Sequence, residues 1–183
     1  LTYNADEIED KPKILFLGQC HAEEILGVEI AMAIIDILLH PTTQDGTNSN
    51  WPSGYRPSWG DLNKTNIMSI LENSEVWVVP THNPEGLTVV HGWNDNGTWT
   101  QDVTYRKNKH DLDGNNIFNF IVGNGNDSDG VDLNRNYDFN WVFGEGIYEP
   151  DNGGCNPSYY TDFDYYRGPS EFSETEIQGV RDL

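Results

Sequence analysis

The 183-residue chain carries 30 acidic against 10 basic side chains, a formal charge of −20, which argues against nucleic acid and anionic membranes as partners, since both demand basic surface. Hydrophobic residues at 36% and aromatics at 12% are too many for a disordered acidic tail, and the length suits one good-sized domain rather than two. Two cysteines allow at most one internal disulfide, and no apolar run approaches the roughly 20 residues of a membrane span.

Taken in chain order, residues 1–12 are acidic and polar and read as a lead-in. The chain opens at Leu1 without the basic and apolar regions of a secretory signal, so the expectation is either a cytosolic protein or one whose signal has been removed. Ile14 to Leu17 is a continuous apolar run of strand length, suited to a sheet buried on both faces. From Glu24 to Leu39 the apolar positions Ile25, Val28, Ala31 or Met32, Ile35 and Leu38 or Leu39 recur three and four apart, which predicts a helix, stopped by His40-Pro41. Thr42 to Asn63 reads as a long, Trp-containing surface loop. Ile67 to Asn73 predicts a short helix and Glu75 to Val79 a second strand, closed by Pro80. Strand, helix, loop, helix, strand is the rhythm of an α/β domain with a largely parallel sheet. Residues 83–136 and the tail from Pro150 read as loop-rich until Glu174 to Leu183, which opens a final helix. No domain boundary is expected.

The residues that bear chemistry begin at His21, directly after the first strand, with Glu24 three positions on. Both are ordinary zinc ligands, and catalytic zinc sites often combine two histidines, one carboxylate and a water. The C-terminal end of a parallel strand is also where α/β folds place ligands. By itself the spacing fits a surface histidine and a first-turn glutamate better than a metal site. Asn83-Pro84-Glu85-Gly86 follows the second strand. Arg106 lies in Tyr105-Arg106-Lys107-Asn108, and Asn134-Arg135 lies in Gly130 to Tyr137. Two arginines set among polar turn residues of so acidic a chain are candidates for gripping a carboxylate or an oxyanion.

In this order, the segments closely resemble the zinc metallocarboxypeptidases of the carboxypeptidase A/B type, the funnelins, from about Lys13 to the end. The resemblance implies an α/β/α sandwich with a mixed, mainly parallel central sheet, and a secreted, extracellular or periplasmic hydrolase that removes residues from peptide or protein C-termini. It implies His21 and Glu24 as the first two zinc ligands, Arg106 as the group polarising the scissile carbonyl, and Asn134 with Arg135 as the grip on the terminal carboxylate. Asn83-Pro84-Glu85-Gly86 and Phe172-Ser173-Glu174-Thr175-Glu176 match framework signatures of the same family. Its third zinc ligand, a histidine, and its general-base glutamate lie beyond the latter stretch. The expectation is therefore the N-terminal portion of a single catalytic domain spanning 1–183, inactive alone, with the C-terminal remainder as a partner when it is a second chain. His40, His82, His91 and His110 do not sit at the matching place, and His82 reads as structural. Where many family members carry an arginine just before the glutamate ligand, this chain has Glu23, which reverses a charge near the entrance and would disfavour acidic upstream residues.

Calcium is a second metal expectation. Asp111, Asp113 and Asn115, with Asp127 and Asp129, concentrate oxygen ligands in turns, though neither stretch fits the EF-hand register and polar turns would look the same. Asp132, just before the Asn-Arg pair, is expected to orient that loop. Cys20 reads as a buried thiol, with Cys155 a potential partner. Two other classes of function remain open: a catalytically inactive module that binds peptide C-termini, and an acidic calcium-binding structural domain.

Overall fold

The apolar run after Pro12 forms strand β1 (Lys13–Leu17) in the computed structural model, which describes residues 11–40, 64–95, 97–119, 129–139 and 166–183. β1 pairs in parallel with β2 (Glu75–Val79), Lys13 opposite Glu75 and Leu17 opposite Val79. Parallel neighbours need a crossover, and helices α1 (Leu26–Leu39) and α2 (Lys64–Asn73) lie between the two strands in the chain. This is an α/β arrangement. The chain divides into two units: Leu1–Gly18 with Gly27–Pro80, and Gln19–Leu26 with Thr81–Leu183.

In the first unit Ala31, Ile67 and Val76 are buried. The double-sided burial expected of β1 is not found: Ile14 is 39% exposed, Phe16 41% and, on β2, Trp77 46%. Among the described residues β1 has β2 as its single strand neighbour, and its apolar side chains stay uncovered. Ile30 and Met32 of α1 are exposed as well, and Ile35, Leu39, Val76, Trp77 and Val78 line an apolar groove. α1 begins two residues later than its periodicity predicts, because residues 21–25 are taken up by turns in which Glu24 N–H donates to the His21 carbonyl and Ile25 N–H to that of Glu23.

The second unit sets short regular elements within the loop-rich stretch 83–136. The Asn83-Pro84-Glu85-Gly86 stretch opens a helix, α3 (Pro84–His91): Asn83 caps it by accepting from Gly86 N at 2.9 Å, and Pro84 takes the first helical position, where its missing N–H costs nothing. A short antiparallel hairpin follows, β3 (Trp93–Asp95) with β4 (Thr98–Thr100). A one-turn 3-10 helix spans Leu133–Arg135, and α4 runs from Thr175 to Arg181. Ala22, Val89, Val90 and Tyr105 form the core, with Trp93 and Phe118 packed on it; the Tyr105 and Phe118 rings meet edge to face at 5.8 Å.

Residues 1–10, the Thr42 to Asn63 loop, Asp127 and Cys155 lie outside the described residues. Among those described, no helix is long and apolar enough to cross a membrane.

Candidate active site

His21 stands on a turn stapled from several sides within the second unit. Gln19 enters it with a left-handed φ of 51° and donates from Nε2 to the Ala22 carbonyl at 3.2 Å. Ala22 N–H donates to the carbonyl of Arg106 at 2.9 Å. Asn83 donates from Nδ2 to the carbonyls of Cys20 at 3.2 Å and Lys107 at 3.1 Å. One side chain thus caps α3 and ties the residue before His21 to the residue after Arg106. Gly86 makes room for that knot: a Cβ there would stand 2.4 Å from the Lys107 carbonyl oxygen and 2.7 Å from both amide atoms of Asn83.

The buried imidazole of His21 has two occupied edges. Nδ1 faces Glu24 Oε1 at 3.0 Å, and Nε2 faces Asp132 Oδ1 at 3.2 Å and Arg106 Nη2 at 2.7 Å. One nitrogen cannot donate to the carboxylate and accept from the guanidinium at once, so the tautomer selects the partner. Asp132, with no side-chain exposure, also accepts from Arg106 Nε at 3.0 Å through its other oxygen. Burial alone would raise the Asp132 carboxyl, but the hydrogen bond from His21 and the charges of Arg106 and Arg135 bring it below the usual carboxylate value. For His21 burial pulls downward, and the Asp132 and Glu24 carboxylates outweigh it, leaving the ring more basic than usual. Glu23 reaches Arg106 Nη1 at 3.6 Å, so the acidic residue at this position leans on the guanidinium; burial lifts its carboxyl above the ordinary range.

Asn134 and Arg135 occupy the 3-10 turn that Asp132 starts, Asp132 Oδ1 accepting from Asn134 N at 3.0 Å. Asn134 is exposed and Arg135 half-buried, and Arg135's charge is felt at Asp132 and Cys20. The structure therefore brings His21 and Arg106 together at Asp132, with Glu24 on the opposite edge of the imidazole and Asn134 and Arg135 two and three residues further along the chain. Asp132 does more than orient its loop; the sequence showed its position but not its reach to His21.

The donors suit zinc. Two ligands about 2.0–2.1 Å from a tetrahedral ion stand about 3.3 Å apart, close to the 3.0 Å between His21 Nδ1 and Glu24 Oε1. A carboxylate on the other ring nitrogen is the usual companion of a metal-bound histidine, and Asp132 holds that place. Among the described residues no further histidine, cysteine or carboxylate completes a group of three here; the group that does form joins Asp111, Asp113 and Asp129, whose ligand atoms lie within 4.8 Å of one another.

Of the five calcium candidates, those three converge. Each already accepts backbone N–H bonds from the stretch 112–119: Asp111 from Gly114 and Asn116, Asp113 from Asn115, Asp129 from Leu112 and Asn119. Asn115 instead donates from its side chain to Asp113. Cys20 is a free thiol, pushed up to about 12 by burial and then by Asp132 and Glu24. His82 is buried with Nε2 against the Glu176 carbonyl at 3.2 Å, which fits its structural reading.

An α/β framework with a histidine–glutamate pair, a carboxylate behind the histidine and an arginine beside it defines the class, and the family comparison agrees. The zinc carboxypeptidase family model matches residues 1–183, and the chain belongs to that family. Its relatives include carboxypeptidase B of Astacus astacus, 31% identical over 94% of this chain and 40% of that protein. Metallocarboxypeptidase A of Arthroderma otae is 27% identical over 92% of the chain and 28% of its own length. The carboxypeptidase N catalytic chain of Mus musculus is 24% identical over 80% and 23%. The chain thus spans less than half of each relative.

Proposed function

We propose that this chain is the N-terminal portion of a single metallocarboxypeptidase catalytic domain, an α/β/α sandwich whose sheet extends beyond β1 and β2, and that the full-length protein hydrolyses the last peptide bond of peptides or proteins outside the cytoplasm. The observation that carries this reading is the cluster in which Asp132 meets His21 Nε2 and Arg106 Nε while His21 Nδ1 faces Glu24. His21 and Glu24 hold zinc in this reading. Zinc, when bound, supplies a Lewis acid that polarises a carbonyl and acidifies water. Asp132 keeps the His21 proton on Nε2 and so leaves Nδ1 for the ion. Arg106, anchored through Nε, turns guanidinium N–H from His21 and Glu23 to the carbonyl oxygen as negative charge builds there. Arg135 and Asn134 bind the free terminal carboxylate by charge-assisted hydrogen bonds, which limits cleavage to the final residue. Glu23 weighs against acidic residues upstream of the cut.

A third ligand and a general base come from outside these 183 residues, as the chain's span of 40% of its Astacus relative allows. The 183 residues alone should release no C-terminal amino acid. In the full-length protein, zinc should bind one per chain and be lost in His21→Ala and Glu24→Gln; zinc retained at full stoichiometry in both variants would reject the assignment. Convergence of Asp111, Asp113 and Asp129 supports a second, separate reading, a structural calcium ion, which a calcium-dependent rise in melting temperature lost in Asp129→Asn would test.

A further inference from the structure

Glu174 stands at the N-cap of α4, yet its side chain makes no cap bond. Its carboxylate is buried, 3% exposed, and accepts from Asn108 Nδ2 at 2.6 Å, Ser173 Oγ at 2.6 Å and His110 Nδ1 at 2.9 Å. A cap residue ordinarily turns back on the first N–H groups of its own helix. Here that is forgone in favour of groups outside the helix, so helix formation does not account for the carboxylate.

The two asparagines bonded to Glu174 show where the effect goes. Asn108 Oδ1 accepts from Val131 N at 2.8 Å, and Asn108 N donates to the Val131 carbonyl at 3.1 Å. Asn136, fully buried, accepts the Glu174 N–H on Oδ1 at 3.1 Å and donates from Nδ2 to Ser173 Oγ at 2.8 Å. Val131 and Asn136 are the two ends of the segment that carries Asp132, Asn134 and Arg135. Glu174 therefore grips both ends, one through each asparagine.

We propose that Glu174 is a positioning residue, whose buried carboxylate and N–H fix the Val131–Asn136 segment and thereby aim Asp132 at His21. The inference rests on the carboxypeptidase reading for its catalytic meaning. The charge matters because its partners here are donors. A glutamine would offer one oxygen and set an amide N–H₂ against Asn108 or Ser173. Against Asn108 it makes that asparagine turn, so that its Oδ1 leaves Val131 N, the residue before Asp132; against Ser173 it turns a hydroxyl that already accepts from Asn136 Nδ2.

The test compares the full chain with Glu174→Gln, reading the ¹⁵N resonances of the His21 ring in metal-free protein and the zinc dissociation constant by chelator competition. The expected result is a displaced Nε2 resonance and zinc binding weakened about tenfold to a hundredfold, the usual effect of losing a metal site's outer partners. A folded Glu174→Gln protein with a lower melting temperature but unchanged His21 resonances and zinc affinity overturns the proposal, since that is what a purely structural role gives. Should Glu174→Gln not fold, Ser173→Ala, which loosens both Glu174 and Asn136, is read instead: changes in the same direction support the proposal and unchanged readouts overturn it. Absence of zinc binding by the unaltered protein would overturn the carboxypeptidase reading, while the His21 resonances still decide whether Glu174 sets Asp132.

Discussion

Asp132 Oδ1 lies 3.2 Å from His21 Nε2, and the other oxygen of the same carboxylate accepts from Arg106 Nε at 3.0 Å. A single fully buried acid therefore sets the angle of the imidazole and of the guanidinium together. Asp132→Asn keeps the shape but places an amide N–H₂ toward one of two donors. Zinc affinity should fall about tenfold to a hundredfold with the fold retained, as competition with a chelator will show; unchanged affinity would mean that Asp132 does not orient His21.

The turn under His21 depends on a glycine for space rather than for its dihedral angles. In Gly86→Ala the new Cβ meets the Lys107 carbonyl oxygen and the Asn83 amide, and neither is the free end of a flexible chain. Overpacking of this kind costs about 1–3 kcal/mol. Asn83→Ala removes the α3 cap and leaves two carbonyls without their donor, a loss on the order of 2–4 kcal/mol. Denaturant unfolding measures both, and a wild-type midpoint for either variant would contradict the packing described.

The His110–Glu174 pair makes a pH-dependent contribution with two edges. The hydrogen bond to Glu174 lifts His110 above its ordinary 6.5 against the pull of burial. Burial would raise Glu174, but the bonds from His110, Ser173 and Asn108 bring it below its ordinary 4.5. The raised histidine contributes fully below 6.5, and its share is lost as pH rises through its folded value. The lowered glutamate contributes fully above 4.5, and its share is lost as pH falls through its own folded value. The stability difference between wild type and His110→Gln should thus be largest between about 4.5 and 6.5 and shrink on both sides. A difference that keeps growing above that window contradicts the pairing.

Arg135 should act on substrate binding more than on the protein. Arg135→Ala in the full-length enzyme should lose about tenfold to a hundredfold in kcat/KM on peptides with a free carboxylate, the worth of a charged hydrogen bond, with little change in melting temperature. An unchanged kcat/KM would remove Arg135 from the substrate grip.

How much of this was legible depended on length and range. β1, α1, α2 and β2 were readable because each has a run or a period long enough to register. α3 was not: eight residues that follow Asn83 and open on Pro-Glu-Gly look like a turn, although these residues are a cap, a first-position proline and a close-contact glycine. β3 and β4 have three residues each around an Asn-Gly pair, too short for alternation to show. His21, Glu24 and Arg106 are legible from motif order, but the meeting of His21 and Arg106 at Asp132 is not, because it is made between segments far apart in the chain. Glu174 was legible as part of a signature and mute as to purpose, since its partners Asn108 and Asn136 lie on other loops. The exposure of β1 also defied its composition; an apolar strand announces a cover, and composition cannot say which residues provide it.

The most direct test of the central claim uses the full-length protein and two peptides of one sequence, one ending in a free carboxylate and the other in an amide. The account predicts that the free-acid peptide alone loses its last residue, that a zinc chelator stops the release, and that His21→Ala abolishes it. Zinc-independent release, equal cleavage of the amide, or no release from any free-acid peptide would contradict it.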